Sequence, residues 1–445
     1  MLIANDQVNT KEDTLMASSL PFSARNVMYQ SLSGYPWISW GGEWVVQSGS
    51  KPNGNLNIEA DNIEYLANEL TLGINIRATE QFGVFVDLEW QQAFVSTTSK
   101  NNSQLSMKSA NFIWFEDHDL FNLRLGRQYY EDNRGFLFHD SLDGLHGEWT
   151  FHVEAWQWQL QFALAKQAWL PINLLDVVYN TGADYHFVQL VTNHGDHQGA
   201  GYLLNRYQQN INADTISEQL LLLGFRGQGH LASSISNQGV GYWYEIAYAS
   251  GRHRGVEASR DIDGIGFDVG VLLPLDPMLK PLALSWLNGN DHRFIVSYAH
   301  GSGDTNSQHQ DQRFRQTGLQ LNTGWLGEGG AKLKYYGEIV KPELSNINIA
   351  TLGLRLRPSS DSSIELLWHE YRQDQPATTF YGYGIKRAPN GLDTRLGQEV
   401  DLIVSYRHIN NLVLELDLGW FQPGAAFSGT NANMFMAYAE MRYFF

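Results

Sequence analysis

Three short stretches set charge in alternation with leucine: Arg124 in FNLRLG, Arg355 and Arg357 in ATLGLRLRP, and Glu415 and Asp417 in NLVLELDLGW. Lys332 and Lys334 repeat the pattern in AKLKYYGE. Guanidinium forks grip carboxylates and hydroxyls, so such groups recognise a solute without breaking a bond in it. Arg127 follows Gly126 in the opposite phase, so either the strand ends there or a glycine bulge turns it inward. Arg124 and Arg127 could equally pair with acidic neighbours and stiffen a wall.

Bond-making chemistry has less support. Cysteine is absent, which removes thiolate nucleophiles, thiolate metal sites and disulfides. There is no GxSxG nucleophile elbow and no phosphate loop ending in Gly-Lys-Ser/Thr. His194, Asp196 and His197 in VTNHGDHQG are the densest histidine cluster, but in a glycine-rich loop such residues are more often ordinary polar groups than metal ligands. Asp261, Asp263 and the run GSGDTNSQHQD lack the spacing of an EF-hand. We expect no enzyme, no cofactor and no metal. An outer-membrane enzyme, or a structural barrel with a plugged lumen, is the alternative.

The charged positions need strands to hold them. Leu412, Leu414, Leu416 and Leu418 share one strand face, opposite Glu415 and Asp417. The chain ends MFMAYAEMRYFF, where Phe435, Ala437, Ala439, Met441, Tyr443 and Phe445 oppose Tyr438, Glu440 and Arg442. A soluble sandwich would turn the charged face to water, whereas a membrane barrel turns the apolar face to lipid and the charged face to its lumen. About nineteen such segments recur, among them 316–325 and 331–339, with one expected to be a connection or a split strand. Polar stretches such as GRHRGVEASRDIDG and RQDQPATTFYGYGIKRAPNGLDTR read as long loops, and RPSSDSS as a short turn. The fold expected is an all-β, antiparallel transmembrane barrel of about 18 strands over residues 34–445, after an N-terminal segment 1–33.

Composition agrees. The 42 glycines, 14 tryptophans, 21 tyrosines and 22 phenylalanines favour strands and turns over helices. A net charge of −17 disfavours duplex nucleic acid, which binds through phosphate neutralisation. No apolar run reaches the length of a membrane helix. MLIANDQVNTKEDTLMASS lacks the pattern of a secretory signal, so the chain is either cytoplasmic or shown without its targeting segment.

From about Leu123 onward the sequence resembles the bacterial outer-membrane alginate export family. The resemblance is carried by LRLGRQYYEDNRGFLFHDSLDGL, then YAHGSGD with FRQTGLQLN, PELSNINIATLG, LGQEVDLIV and LGWFQPGAAF in that order. It implies an 18-stranded barrel with a polysaccharide path partly lined by arginine, gated by a long extracellular loop and a periplasmic turn. It further implies that Arg77, Arg134 and Asp143 belong to that path, where Arg134 could equally form a loop ion pair and Asp143 could pair with an arginine; Arg124, Arg127, Arg355 and Arg357 are candidates for the same path from their strand positions. One departure stands out: the family strand matching LVLELDLGWFQPG carries two inward arginines where this chain has Glu415 and Asp417. Two such reversals oppose a polyuronate, so the substrate need not be alginate. The expected protein is a monomeric outer-membrane channel among lipids. It would pass a polysaccharide, oligosaccharide or small polar solute, with periplasmic export components as partners by family resemblance and no nucleic acid.

Overall fold

The computed structural model describes residues 30–52, 54–56, 62–96, 102–116, 120–171, 173–175, 182–209, 215–232, 239–256, 258–279, 287, 291–305, 309–326, 331–407, 409–429 and 432–445. Most of the expected N-terminal segment 1–33 lies outside them. The first described strand is β1 (Gln30–Leu32), which pairs with the strand after it.

The wall begins with β2 (Tyr35–Lys51), β3 (Ile63–Arg77), β4 (Phe82–Val95), β5 (Asn102–Glu116), β6 (Phe121–Glu131), β7 (His139–Val153), β8 (Trp156–Lys166), β9 (Asp184–His194) and β10 (His197–Gln209). It continues with β11 (Thr215–Leu231), β12 (Val240–Gly255), β13 (Ser259–Pro274) and β14 (Arg293–Gly301). The chain then leaves the wall, forming β15 (Gln310–Asp311), β16 (Thr323–Trp325) and β17 (Lys332–Lys334). It returns as β18 (Ile347–Ser359), β19 (Ser362–Arg372), β20 (Arg395–Tyr406), β21 (Leu412–Pro423) and β22 (Met434–Phe444). Each wall strand pairs antiparallel with the next, β14 pairs with β18, and β22 pairs back onto β2. The result is a closed antiparallel barrel of 18 strands.

Closure satisfies every wall strand on both edges, which a sheet in hydrocarbon requires. At the seam the backbones of Gly42 and Phe445 exchange hydrogen bonds of 2.9 and 3.0 Å. A Cβ on Gly42 would fall 2.3 Å from the Thr71 carbonyl oxygen and 2.5 Å from the Phe445 ring, so only glycine fits there.

Leucines and aromatics face outward: Leu70, Leu72, Leu223, Phe225, Leu352, Leu366, Leu414 and Leu416 are exposed on the outer surface. Acids and amides face inward, including Glu43, Glu89, Gln161, Glu245, Glu399 and Asp401. This inverted arrangement is that of a barrel in lipid. Among the described residues no helix is long and apolar enough to cross a membrane. Aromatic neighbours Trp114 with Phe121 and Phe151 with Trp158 cluster by the short turns at one end, as in an interfacial belt.

Three expectations are corrected. Segments 316–325 and 331–339 are not wall strands: they belong to an insert, residues 302–346, whose small hairpin β16–β17 is separate from the barrel sheet. The strand unrecognised in sequence is β10, where Gly199, Ala200 and Gly201 blur the alternation. GRHRGVEASRDIDG is not a long loop, since it runs through β12 and β13 with only residues 256–258 between them.

Candidate functional site

The insert is folded into the lumen. Its residues Phe314, Leu319, Leu333, Tyr335, Ile339, Val340 and Leu344 are buried in one cluster with Phe187, Leu204, Leu220, Leu222, Ala249, Ile295 and Ile349 of the inner wall. Part of the barrel interior is therefore an apolar core, and the wall stretches that touch it, such as Leu220 to Leu223, are apolar on both faces.

Anchors tie the insert down around the wall. Beside β6 and β7, the Gln316 amide donates to the Phe136 carbonyl (2.8 Å), the His139 amide donates to the Leu319 carbonyl (2.8 Å), and Lys332 pairs with Glu131 (2.7 Å). The Phe136–Phe138 loop is itself pinned by Asp132, which accepts from its backbone amides and pairs with Arg226 at 3.0 Å. At β9 the Tyr185 hydroxyl donates to the Thr317 carbonyl (3.2 Å).

Against β12 and β13, Arg134 lies with its guanidinium 3.6 Å from the Tyr335 ring centre and 4.5 Å from that of Trp243, and 2.7 Å from Asp268. Asp268 also accepts from Trp243 Nε1 (2.9 Å) and the Tyr336 hydroxyl (3.0 Å). Burial works against the charge on Arg134, but Asp268 and the two tyrosines outweigh it and hold its pKa above the ordinary arginine value. A guanidinium is suited to this position because it stacks and forks at once.

At β19 and β20, Glu399 accepts from the backbone amides of Ile339 and Val340, at 2.5 and 3.0 Å, and from the Tyr371 hydroxyl at 2.9 Å. The Glu338 amide donates to Asp401 (3.3 Å). Gly337 makes the turn at φ +99°, and a Cβ there would fall 2.1 Å from the Tyr371 hydroxyl oxygen.

Burial shows which part of the lumen the insert leaves open. Beneath it, the inward residues Leu204, Leu222, Ala247, Ala249 and His369 are buried. In the wall from β21 through β22 to β5, the inward Gln47, Glu69, Gln91, Lys108, Glu415, Glu440 and Arg442 are half-buried, while Glu43, Thr71, Asp87, Glu89 and Asp417 of the same strands are buried. The inner surface of this sector is a crescent of carboxylates, amides and the stacked rings of Tyr65 and Tyr438, 6.4 Å apart. Arg442 pairs with Glu440 (2.8 Å) and Glu43 (3.5 Å), Lys108 with Glu89 (2.7 Å), and Gln47 donates to Glu440 (3.1 Å).

The residues singled out in sequence are dispersed. Glu415 and Asp417 face this lumen on β21, Asp417 being 5% exposed. Arg127 and Asp143 meet as a buried pair (2.6 Å) in the same phase as the outward Leu125 and Leu145, under residues 170–171. All three guanidinium nitrogens of Arg127 are engaged there, by Asp143 and by backbone carbonyls. Arg124 stands on β6 near Glu148 and Tyr130. Arg355 is buried against Asp291 and the Leu326 carbonyl, and Arg357 reaches the Ser360 carbonyl at a short turn. Arg77 sits at the rim, 3.1 Å from the Glu80 carbonyl and over the Phe115 ring. His194 stacks on Trp156 and His197 bonds the Tyr242 hydroxyl (2.9 Å). Sequence reasoning did not identify Glu399, Asp401 or Trp243; the alternation in QEVDLIV was the available signal for Glu399 and Asp401.

The alginate export family model matches residues 44–438. The chain belongs to the alginate export family. Among curated members, the alginate production protein AlgE of Pseudomonas aeruginosa is 25% identical over 289 residues, which are 58% of this chain and 55% of that protein. AlgE of Azotobacter vinelandii is 28% identical over 152 residues, 33% of this chain and 31% of that one. The chain thus spans about half the length of the first of these family members. Solved barrels share the architecture: P. aeruginosa OccK9 (OpdG) has a TM-score of 0.57 at 10% identity, covering 92% of this chain and 98% of its own. Acinetobacter baumannii OccAB4 has 0.56 at 8%, with the same coverage. At such identity they speak for the fold alone. This family member is an outer-membrane β-barrel.

Proposed function

We propose that this barrel is a passive channel for a carbohydrate or related polar solute, and that the crescent beside the insert is its path. The observation that carries the reading is the contrast in burial between the two halves of the inner wall. Amides and carboxylates there replace part of a solute's hydration shell without holding it tightly, and Tyr65 with Tyr438 offers ring faces to sugars. Family membership brings forward export of an alginate-like polysaccharide as the cargo, with periplasmic export components as partners. The barrel works as a monomer among outer-membrane lipids, by transport and not catalysis. Glu415 and Asp417 set its specificity.

Purified protein in planar bilayers tests this. We expect stable single-channel current and swelling of proteoliposomes in maltose. A correctly inserted barrel with no current would mean that the insert seals the lumen, the structural alternative.

A further inference from the structure

The charges in the lumen are not balanced evenly. Around the insert, arginines meet carboxylates: Arg134 with Asp268, Arg206 with Glu218, Arg226 with Asp132, and Arg315 with Glu218 and Asp311. On β21 the balance fails at Asp417. Asp417 is 5% exposed and its Oδ1 has no hydrogen-bond partner. The charges that act on it most strongly are Glu338 from the insert and Glu415 and Glu440 from the wall, with Lys341 opposing. Arg442 is engaged by Glu440 and Glu43, Arg407 lies over the Trp325 ring at 4.3 Å, and both attract Glu415, so the carboxylate they leave uncompensated is Asp417.

We infer that Asp417, Glu415 and Glu440, beneath Glu338, form a subsite for the positively charged group of a solute, the carbohydrate of that class being an amino sugar. An anionic side chain held out of water without a counter-ion is costly, and the cost falls when a mobile cation supplies one. Asp417 stands opposite Tyr438 in the strand ladder, and Tyr438 is stacked with Tyr65. A ring face beside a carboxylate attracts an ammonium and also takes a sugar face. A polyuronate would meet like charge at the same place. The inference names the substrate class for the channel proposed above and rests on that reading.

The test uses full-length protein in detergent and three trimers of similar size: glucosamine (cationic), maltotriose (neutral) and trigalacturonate (anionic). Calorimetry should show the glucosamine trimer binding at least about tenfold tighter than maltotriose, a gap expected for one charge-assisted contact. Glu415→Gln with Asp417→Asn should abolish that gap, bringing the glucosamine trimer to the affinity the same variant shows for maltotriose. Glu415→Gln alone, at a half-buried position, should narrow it if the double variant fails to fold. Equal binding of the cationic and neutral trimers, or preference for trigalacturonate, overturns the subsite. Absence of bilayer current overturns the channel reading, while the calorimetry still decides the subsite.

Discussion

Glu415 and Glu440 stand directly opposite each other on β21 and β22, both turned into the lumen. Like charges in that relation destabilise a sheet by about 0.2–1 kcal/mol. Arg442 pairs directly with Glu440 and Glu43, whereas Glu415 is attracted by Arg442 and Arg407 with the repulsion of Glu440 and Glu338 set against it. Glu415→Gln should therefore raise the stability of the folded barrel by about 0.5 kcal/mol, read from reversible urea unfolding in micelles. A loss of stability would mean that Glu415 has a partner in the wall.

Glu399 accepts three hydrogen bonds and holds the insert to β19 and β20. Glu399→Ala strands the buried amides of Ile339 and Val340, at about 1–3 kcal/mol each. The wall ladders do not use this carboxylate, so far-ultraviolet circular dichroism should stay the same. Single-channel conductance should rise and become noisy as the insert loosens, and Gly337→Ala should do the same by steric displacement. Unchanged conductance in both variants would show that the insert does not border the path.

Arg127 and Asp143 are each 2% exposed and bonded to each other. Arg127→Ala leaves an uncompensated buried carboxylate, a loss of about 3–5 kcal/mol. Because the pair shares the outward phase, conductance and ion selectivity of the variant that does fold should match the parent. A change in selectivity with stability intact would place Arg127 on the path after all.

Much of the wall was legible in sequence, and the reasons are specific. In β20 to β22 one face meets lipid and the other carries carboxylates, so period-two alternation is clean. Where the insert packs, Phe187, Leu204, Leu220 and Leu222 face inward as apolar residues, and alternation weakens. Leu333 and Tyr335 alternate as a wall strand would, but their apolar face meets the core inside the lumen. Periodicity reports which face is dry and not what dries it. For the site, phase sufficed to turn Glu415 and Asp417 inward. The Arg134 cage was illegible because Trp243, Asp268 and Tyr335 come from three distant segments.

The central claim is that solute passes between the insert and the wall from β21 to β5. The chain has no cysteine, so single thiols can be placed without interference. Gln47→Cys and Gln91→Cys line the crescent, Ala247→Cys lies under the insert, and Leu416→Cys faces lipid. A charged methanethiosulfonate added to single channels should cut the current through Gln47→Cys and Gln91→Cys and leave Ala247→Cys and Leu416→Cys unaffected. Block at Ala247→Cys with none at Gln47→Cys or Gln91→Cys would contradict the account.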